Sequence, residues 1–187
     1  MREALISPPS LARRAFLLLG GGAILQGCGF SPMYATASDG GTNPEMADLA
    51  AITVGAIPDR SGQQLREALQ ERFQLGGVGI ARRYDLDVTF AFSEQGIGIQ
   101  PDTSVTYQRV IGIANWTLRG QDPHHTTLTT GKARAIDGFN FIDQQFFDAT
   151  LEDEKVHARI AIQIADQITL QLASYFKRHP ATPDGVS

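Results

Sequence analysis

Three basic residues lie inside segments whose pattern favours β-strands, at positions where they could do chemistry. They are Arg109, Lys132 and Arg134. Lys132 and Arg134 are two residues apart, so on a strand they project from the same face of a sheet. Guanidinium and ammonium groups on one face can hold a phosphate or carboxylate group through charge-assisted hydrogen bonds. The alternative is an ordinary solvated sheet face, and the sequence leaves both interpretations open.

The histidines and the acidic run have simpler explanations than a metal site or a proton-transfer site. His124 and His125 are adjacent in the polar segment GQDPHH, and adjacent histidines cannot easily both face one ion without further ligands. His157 follows the acidic run of residues 152–154, which is typical of a helix start because the helix dipole favours negative charge there. A solvated pair within one helix therefore explains His157 better than a general base does. We predict no metal site.

The sequence also lacks the short motifs of common catalytic sites. It contains no G-x-S-x-G, no G-x-x-x-x-G-K-[ST] and no H-E-x-x-H segment. Its single cysteine excludes an internal disulfide and a cysteine-rich metal site. The net charge of −4 argues against nucleic-acid binding, which needs a basic face. We therefore expect a protein that is not an enzyme, uses no cofactor and binds no nucleic acid.

That single cysteine, Cys28, ends a short apolar segment that follows a pair of arginines. The segment covers residues 15–27, shorter than the roughly 20 apolar residues that span a bilayer, so it predicts a signal peptide over residues 1–27. The arginine pair leaves general and twin-arginine export both open. The final letters, LQGC, resemble the lipobox of bacterial lipoproteins, although that motif prefers a small residue where Gln26 stands.

The resemblance to a lipobox implies a specific modification of Cys28. Cleavage would follow Gly27, the thiol would carry diacylglycerol, and the new amine would carry an N-acyl chain. Two or three acyl chains hold a protein on a membrane durably. The next residue, Gly29, is not aspartate, which by resemblance to Gram-negative sorting favours the outer membrane with the protein facing the periplasm. The alternative is an ordinary buried cysteine in a hydrophobic helix.

The rest of the chain predicts a flexible tether, one domain and a short tail. Residues 28–49 form the lipidated N-terminus and tether, residues 50–178 the domain, and residues 179–187 a disordered tail. Within the domain, the predicted elements are a strand at 52–57, a helix from Ser61 to about 76, strands at 83–93, 105–119 and 127–141, and a helix from Thr150 to about 178.

This β-α-β-β-β-α order predicts an α+β fold. Apolar residues alternate strictly from Tyr84 to Phe92, so that strand buries one face and leaves the other largely polar. In the strand predicted at 105–119, the alternation of apolar and polar residues changes phase near Val110 and Ile111. This change predicts a bulge or a segment covered on both faces. Two amphipathic helices and strands with one apolar face form a two-layer α/β sandwich, with both helices on one face of a four-stranded mixed sheet.

Several short segments, in their order and spacing, resemble the LPS-assembly lipoprotein family LptE (older name RlpB) in its alphaproteobacterial form. They are CGFSPMY after the processing site, IPDRSGQQLREAL, YDLDV and YQRVIGIANWTL, followed by the long alanine-rich C-terminal helix. The similarity covers about residues 25–178.

The resemblance implies an outer-membrane lipoprotein inside the β-barrel of LptD, the lipopolysaccharide translocon. There it plugs the barrel, helps to assemble it and contacts lipopolysaccharide during insertion into the outer leaflet. No family motif fixes Arg109, Lys132 or Arg134, so lipopolysaccharide binding by these three residues is a hypothesis. The acidic net charge favours barrel contact over a dedicated lipid carrier. The alternative is an auxiliary or pilot lipoprotein of another envelope lipid-transport or secretion system.

Overall fold

A computed structural model describes residues 44–74, 80–99, 105–140 and 146–180. Within these ranges the elements in chain order are α1 (Pro44–Ala50), β1 (Ile52–Val54), α2 (Asp59–Gln74), β2 (Tyr84–Ile99), β3 (Val105–Gly120), β4 (Thr127–Asn140) and α3 (Phe146–Arg178). The predicted signal peptide, Cys28, and residues 181–187 of the predicted tail lie outside the described residues.

The strands form one sheet in the order β1-β2-β3-β4. β1 pairs with β2 in parallel, and α2 is the crossover that joins them. β2 pairs with β3, and β3 with β4, in antiparallel register. The predicted α+β class and the mixed four-stranded sheet are confirmed.

Alternating side chains give the sheet one apolar face, and the helices pack on it. In β2, Leu86 and Val88 are buried, whereas Asp87 and Thr89 are exposed. The buried residues of β3 and β4 on the same face are Val110, Ala114, Trp116, Leu118, Ala133 and Ala135. The alternation that the sequence shows from Tyr84 onward is therefore the alternation between core and solvent.

α3 supplies a large part of the core. Its buried residues recur at helical spacing: Val156, Ile160, Ala161, Ile164, Ala165, Ile168, Leu172, Ala173 and Phe176. Burying one such isoleucine or leucine side chain stabilises a fold by about 1.5–3 kcal/mol. A Cβ added at Gly112 would lie 2.3 Å from Cγ2 of Ile160, so glycine at this position lets α3 approach β3 closely.

The helix α1 corrects the predicted tether, because residues 44–49 belong to the folded domain. Met46 and Leu49 lie three residues apart on one helical face and are buried, and α1 packs against α2 and α3. Pro44 is tolerated at the first position of a helix, where its missing N–H would have no partner. Because most residues around Met46 and Leu49 are small or polar, the sequence pattern does not predict this helix.

Other boundaries also differ from the sequence expectation. α2 begins at Asp59 instead of Ser61, α3 begins at Phe146 instead of Thr150, and β2 continues to Ile99. Val110 and Ile111 lie on opposite faces of the sheet, and both are buried and pair regularly with β4. The register shift lies further along the β3–β4 pair, at Leu118 and Arg119.

The described helices do not meet the requirements of a membrane span. None of them combines the length and the apolar character that crossing a membrane would require.

Candidate functional site

The side of the sheet opposite the helices is called the open face here. The contact of Ile160 and Ile164 of α3 with Gly112 lies on the other face. Its residues are Asp85, Asp87, Thr89, Ala91, Ser93 and Gln95 from β2, Arg109, Ile111, Ile113, Asn115, Thr117 and Arg119 from β3, and Thr130, Lys132, Arg134 and Ile136 from β4. Strands of 14 to 16 residues make it a long surface.

The three predicted basic residues all lie on the open face, and all three are exposed. Lys132 stands opposite Asn115, and Arg134 stands opposite Ile113. Arg109 lies four residues from Ile113 along β3, so at roughly 3.3 Å per residue it is about 13 Å from the Arg134 row. The structure therefore places Lys132 and Arg134 side by side and sets Arg109 apart from them.

Apolar side chains separate Arg109 from Arg134. Ile111 stands opposite Ile136 in the intervening row, and Ile136 is 47% exposed. The half-buried Ile113 is next to them. This end of the open face therefore combines positive charge with accessible apolar surface, a combination suited to an anionic amphiphile or to a polar protein surface.

The ion pairing of these three basic side chains distinguishes them from other arginines in the described part of the chain. None of the three forms an ion pair with a residue in the described ranges. Arg119, at the other end of the open face, lies 3.5 Å from Asp87. Arg109, Lys132 and Arg134 differ in this respect from Arg119 among the described residues of the open face.

The acidic end of the open face contains a small cavity of about 310 Å³. Asp85, Asp87, Arg119 and His125 are among its lining residues. Asp85 accepts a hydrogen bond from Gln121, at 3.0 Å. The open face is therefore polarised, with carboxylates near β1 and cations toward β4.

Two glutamines of α3 fix the strand that carries Lys132 and Arg134. Gln167 accepts a hydrogen bond from the backbone N–H of Arg134 (3.1 Å) and donates one to its carbonyl oxygen (3.0 Å). Gln171 donates to the carbonyl of Lys132 at 3.1 Å and accepts from the indole of Trp116 at 3.0 Å. We call this set the glutamine clamp. Sequence reasoning missed it, and its only signal is a pair of glutamines four residues apart on a helix.

Glycine at position 131 lets Trp116 reach the glutamine clamp. A Cβ added at Gly131 would lie 2.3 Å from Cζ2 of the Trp116 ring, which stacks closely over the β4 backbone. The sequence shows Gly131 only as an interruption of a strand. Its structural role is to admit the large aromatic ring of the paired residue.

A second contact fixes β4 to α3 near Ile136. Nε of Arg159 donates to Asp137 at 2.6 Å. This hydrogen bond lowers the pKa of Asp137 and raises the pKa of Arg159. Together with the glutamine clamp, it holds the cationic end of the open face on a rigid element.

His157 lies between two carboxylates. Its Nδ1 is 3.3 Å from Asp153 and its Nε2 is 3.7 Å from Glu94, while Phe92 packs edge-on against the ring. The contact with Asp153 fits the predicted pairing within one helix, whereas Glu94 comes from a distant strand that sequence spacing cannot reveal. One ligand atom from each of the three residues lies within 4.8 Å of the others. Both carboxylates are partly exposed, and pairing with the imidazole accounts for their positions.

Solved structures with a similar fold include several bacterial lipoproteins. A candidate lipoprotein from Caulobacter crescentus aligns with a TM-score of 0.57 and 19% identity, over 71% of this chain and 96% of its own. Rare lipoprotein B from Shewanella oneidensis aligns with a TM-score of 0.55 and 16% identity, over 68% and 97%. A minor lipoprotein from Acinetobacter baumannii has a TM-score of 0.50 and 14% identity, over 66% and 90%. At these identities the likeness establishes the fold.

The family follows from the sequence itself. The model of the LptE family, described as lipopolysaccharide-assembly, matches residues 49–172, which is about two-thirds of the chain. The chain therefore belongs to the LptE family, as its short motifs predict. A search of curated proteins finds no match. Membership gives the protein a role in lipopolysaccharide assembly, within a family of non-enzymatic lipoproteins.

Proposed function

We propose that this protein is an LptE-type plug and assembly partner of an LptD-like outer-membrane β-barrel. The observation that carries the proposal is the open face, which is long and largely polar and carries cations without acidic partners in the described chain. The lumen of an outer-membrane barrel is polar, so the polar groups of such a surface can find hydrogen-bond partners there when they are buried. Membership of the LptE family supports the same partner.

The proposal includes the anchor at Cys28. Diacylglycerol on the Cys28 thiol and an N-acyl chain on its amine would hold the protein on the outer membrane, facing the periplasm. The anchor would restrict the domain to a thin layer beside the membrane, which raises its effective concentration near a barrel. The first described helix begins at Pro44, so residues 29–43 lie between Cys28 and α1 in the sequence.

Direct contact with lipopolysaccharide is the finer part of the proposal. Lys132 and Arg134 would bind its phosphate groups, Arg109 would reach a second anionic group, and the exposed Ile136 between them would contact an apolar chain. A lipid that carries several phosphates matches separated cations better than a single small anion does. Because the whole chain is acidic, the contact would be local and transient instead of a storage site.

Site-specific photo-cross-linking in cells tests the barrel partner. We expect a photoreactive residue at Asn115, which is exposed on the open face, to form an adduct with one large outer-membrane barrel protein. The core position Ala165 is the negative control, and the exposed position Gln163 on α3 samples the opposite side. An adduct from Gln163 alone would remove the open face from the interface.

Depletion of the barrel completes the test. We expect the protein to co-purify with the barrel and to fall in abundance when the barrel is depleted. A stable, abundant free monomer in depleted cells, together with no adduct at either exposed position, would contradict the proposed partner.

A further inference from the structure

A separate cavity of about 320 Å³ lies at the free edge of β1, between that strand and α2. Arg66, Gln70 and Gln74 line it from α2, where their spacing of four residues puts them on one helical face. Arg82 lines it just before β2. The lining contains two guanidinium groups and no carboxylate, although the whole chain is acidic.

Arg66 and Arg82 differ from the neighbouring arginines, which form ion pairs with carboxylates. Arg60 and Arg72 of α2 bind carboxylates of α3, Glu154 at 2.7 Å and Asp166 at 2.6 Å. Arg83 pairs with Asp48. Arg66 and Arg82 form no ion pair with any residue inside the described ranges.

Arg66 also holds a buried polar atom that lacks a partner. Its Nε is inaccessible to solvent and makes no hydrogen bond. Oγ1 of Thr53 is the second buried polar atom without a hydrogen-bond partner in the described part of the chain. Thr53 lines both this cavity and the cavity on the open face. A buried donor without a partner costs about 1–3 kcal/mol, and more when the group is charged. An ordered water, an ion or a ligand at this position would satisfy them.

The backbone of β1 adds hydrogen-bonding groups, both N–H and C=O, at the same place. The carbonyl of Ala51 accepts from Arg83 and Tyr84, and the N–H of Gly55 donates to Leu86, so these alternate residues face β2. The intervening residues, Ile52 and Val54, therefore direct their backbone groups away from β2, toward the free edge and the cavity that they line.

We propose that this cavity binds a phosphate group, either free phosphate or the phosphate of a lipid headgroup. Two arginines suit the charge of a phosphate, and the terminal N–H groups of a guanidinium can donate to two of its oxygens. The amides of Gln70 and Gln74 supply neutral donors. Phe73 and Ile80 give one wall apolar character, so a short substituent on the phosphate is accommodated. The inference does not depend on the open face, because Arg109, Lys132 and Arg134 do not line this cavity.

Isothermal titration of the full chain in dodecyl maltoside tests the inference. The probes are inorganic phosphate, dihexanoyl phosphatidic acid and dihexanoylglycerol, which lacks the phosphate. We expect saturable 1:1 binding of both phosphate probes and none of dihexanoylglycerol. Tighter binding of phosphatidic acid identifies a lipid headgroup as the ligand, and equal binding identifies the phosphate group alone.

Charge-matched variants locate the binding. We expect Arg66→Gln and Arg82→Gln each to weaken phosphate binding at least about tenfold, as for the loss of a charged hydrogen bond. Arg72→Gln is the control, since it removes the same charge from the same helix and leaves the cavity intact. Phosphate should raise the midpoint of thermal unfolding for the wild type and for Arg72→Gln, but not for Arg66→Gln. Absence of saturable binding by the wild type, or an equal loss in Arg72→Gln, overturns the inference.

Discussion

Two aspartates that contact side chains of α3 have pKa values displaced in opposite directions. The hydrogen bond from Arg159 is the largest influence on Asp137 and lowers its pKa. Burial is the largest influence on Asp153 and raises its pKa, with Glu94 and Glu154 acting in the same direction and His157 opposing them. The charged form of Asp137 is therefore favoured in the folded state, whereas the charged form of Asp153 is disfavoured there.

Asp137→Asn should destabilise the protein by about 1 kcal/mol at pH 7, a value reduced for the solvent exposure of Arg159. The folded pKa of Asp137 lies below its ordinary value of 3.8. Its contribution is therefore present above that value and is lost as the pH falls through the folded pKa. Urea unfolding of wild type and variant across acid and neutral pH should show a difference that disappears in acid.

Asp153→Asn is the matched control for that measurement. Because the pKa of Asp153 is raised, its stabilising contribution belongs to the protonated form and is lost as the pH rises through the folded pKa. The substitution should be neutral or mildly stabilising at pH 7. A larger loss of stability from Asp153→Asn than from Asp137→Asn at pH 7 would contradict the assignment for Asp153, and no loss from Asp137→Asn would contradict the assignment for Asp137.

At the scale of elements, the free edge of β4 is protected by side chains. An exposed strand edge presents unpaired backbone groups that invite pairing with another chain. In β4, Gln167 occupies both backbone groups of Arg134, and Gln171 occupies the carbonyl of Lys132. The glutamine clamp therefore closes the edge at the same residues that present the cations.

Gln167→Ala should destabilise the protein by about 1–2 kcal/mol, because two hydrogen bonds to a strand edge are lost. Hydrogen exchange of the Arg134 amide should accelerate relative to amides in β3. Gln163→Ala is the control, since Gln163 is exposed one turn away on the same helix. Equal exchange rates at Arg134 in both variants would show that Gln167 does not hold the edge.

Local patterns in the sequence predict most of the sheet, because alternation is a property of neighbouring residues. Leu86 and Val88, and the shared face of Lys132 and Arg134, follow from parity alone. The glutamine clamp and the approach of Glu94 to His157 join residues that are far apart in the chain. Spacing carries no information about such pairs, since the packing of α3 decides them. α1 escapes prediction because only two apolar residues hold it.

At the scale of the whole molecule, the proposed anchor at Cys28 can be tested separately from the domain. Cys28→Ala in the full chain should abolish incorporation of labelled palmitate and remove the lipid mass from the mature protein. Association with a barrel could keep the variant in the membrane fraction, so the mass of the mature N-terminus is the deciding measurement. An unmodified thiol at Cys28 in the wild-type protein would contradict the anchor.

The distribution of charge over the molecule gives the last prediction. The chain carries a net charge of −4, yet Lys132 and Arg134 are adjacent on the open face and lack acidic partners within the described ranges. Reversing both to glutamate should weaken lipopolysaccharide binding by the full chain about tenfold or more, as expected for lost charge-assisted hydrogen bonds. Lys177→Glu with Arg178→Glu is the control, because it changes the net charge equally at the exposed end of α3. If both double variants lose affinity equally, the effect is general electrostatic repulsion, and the open face does not bind the lipid.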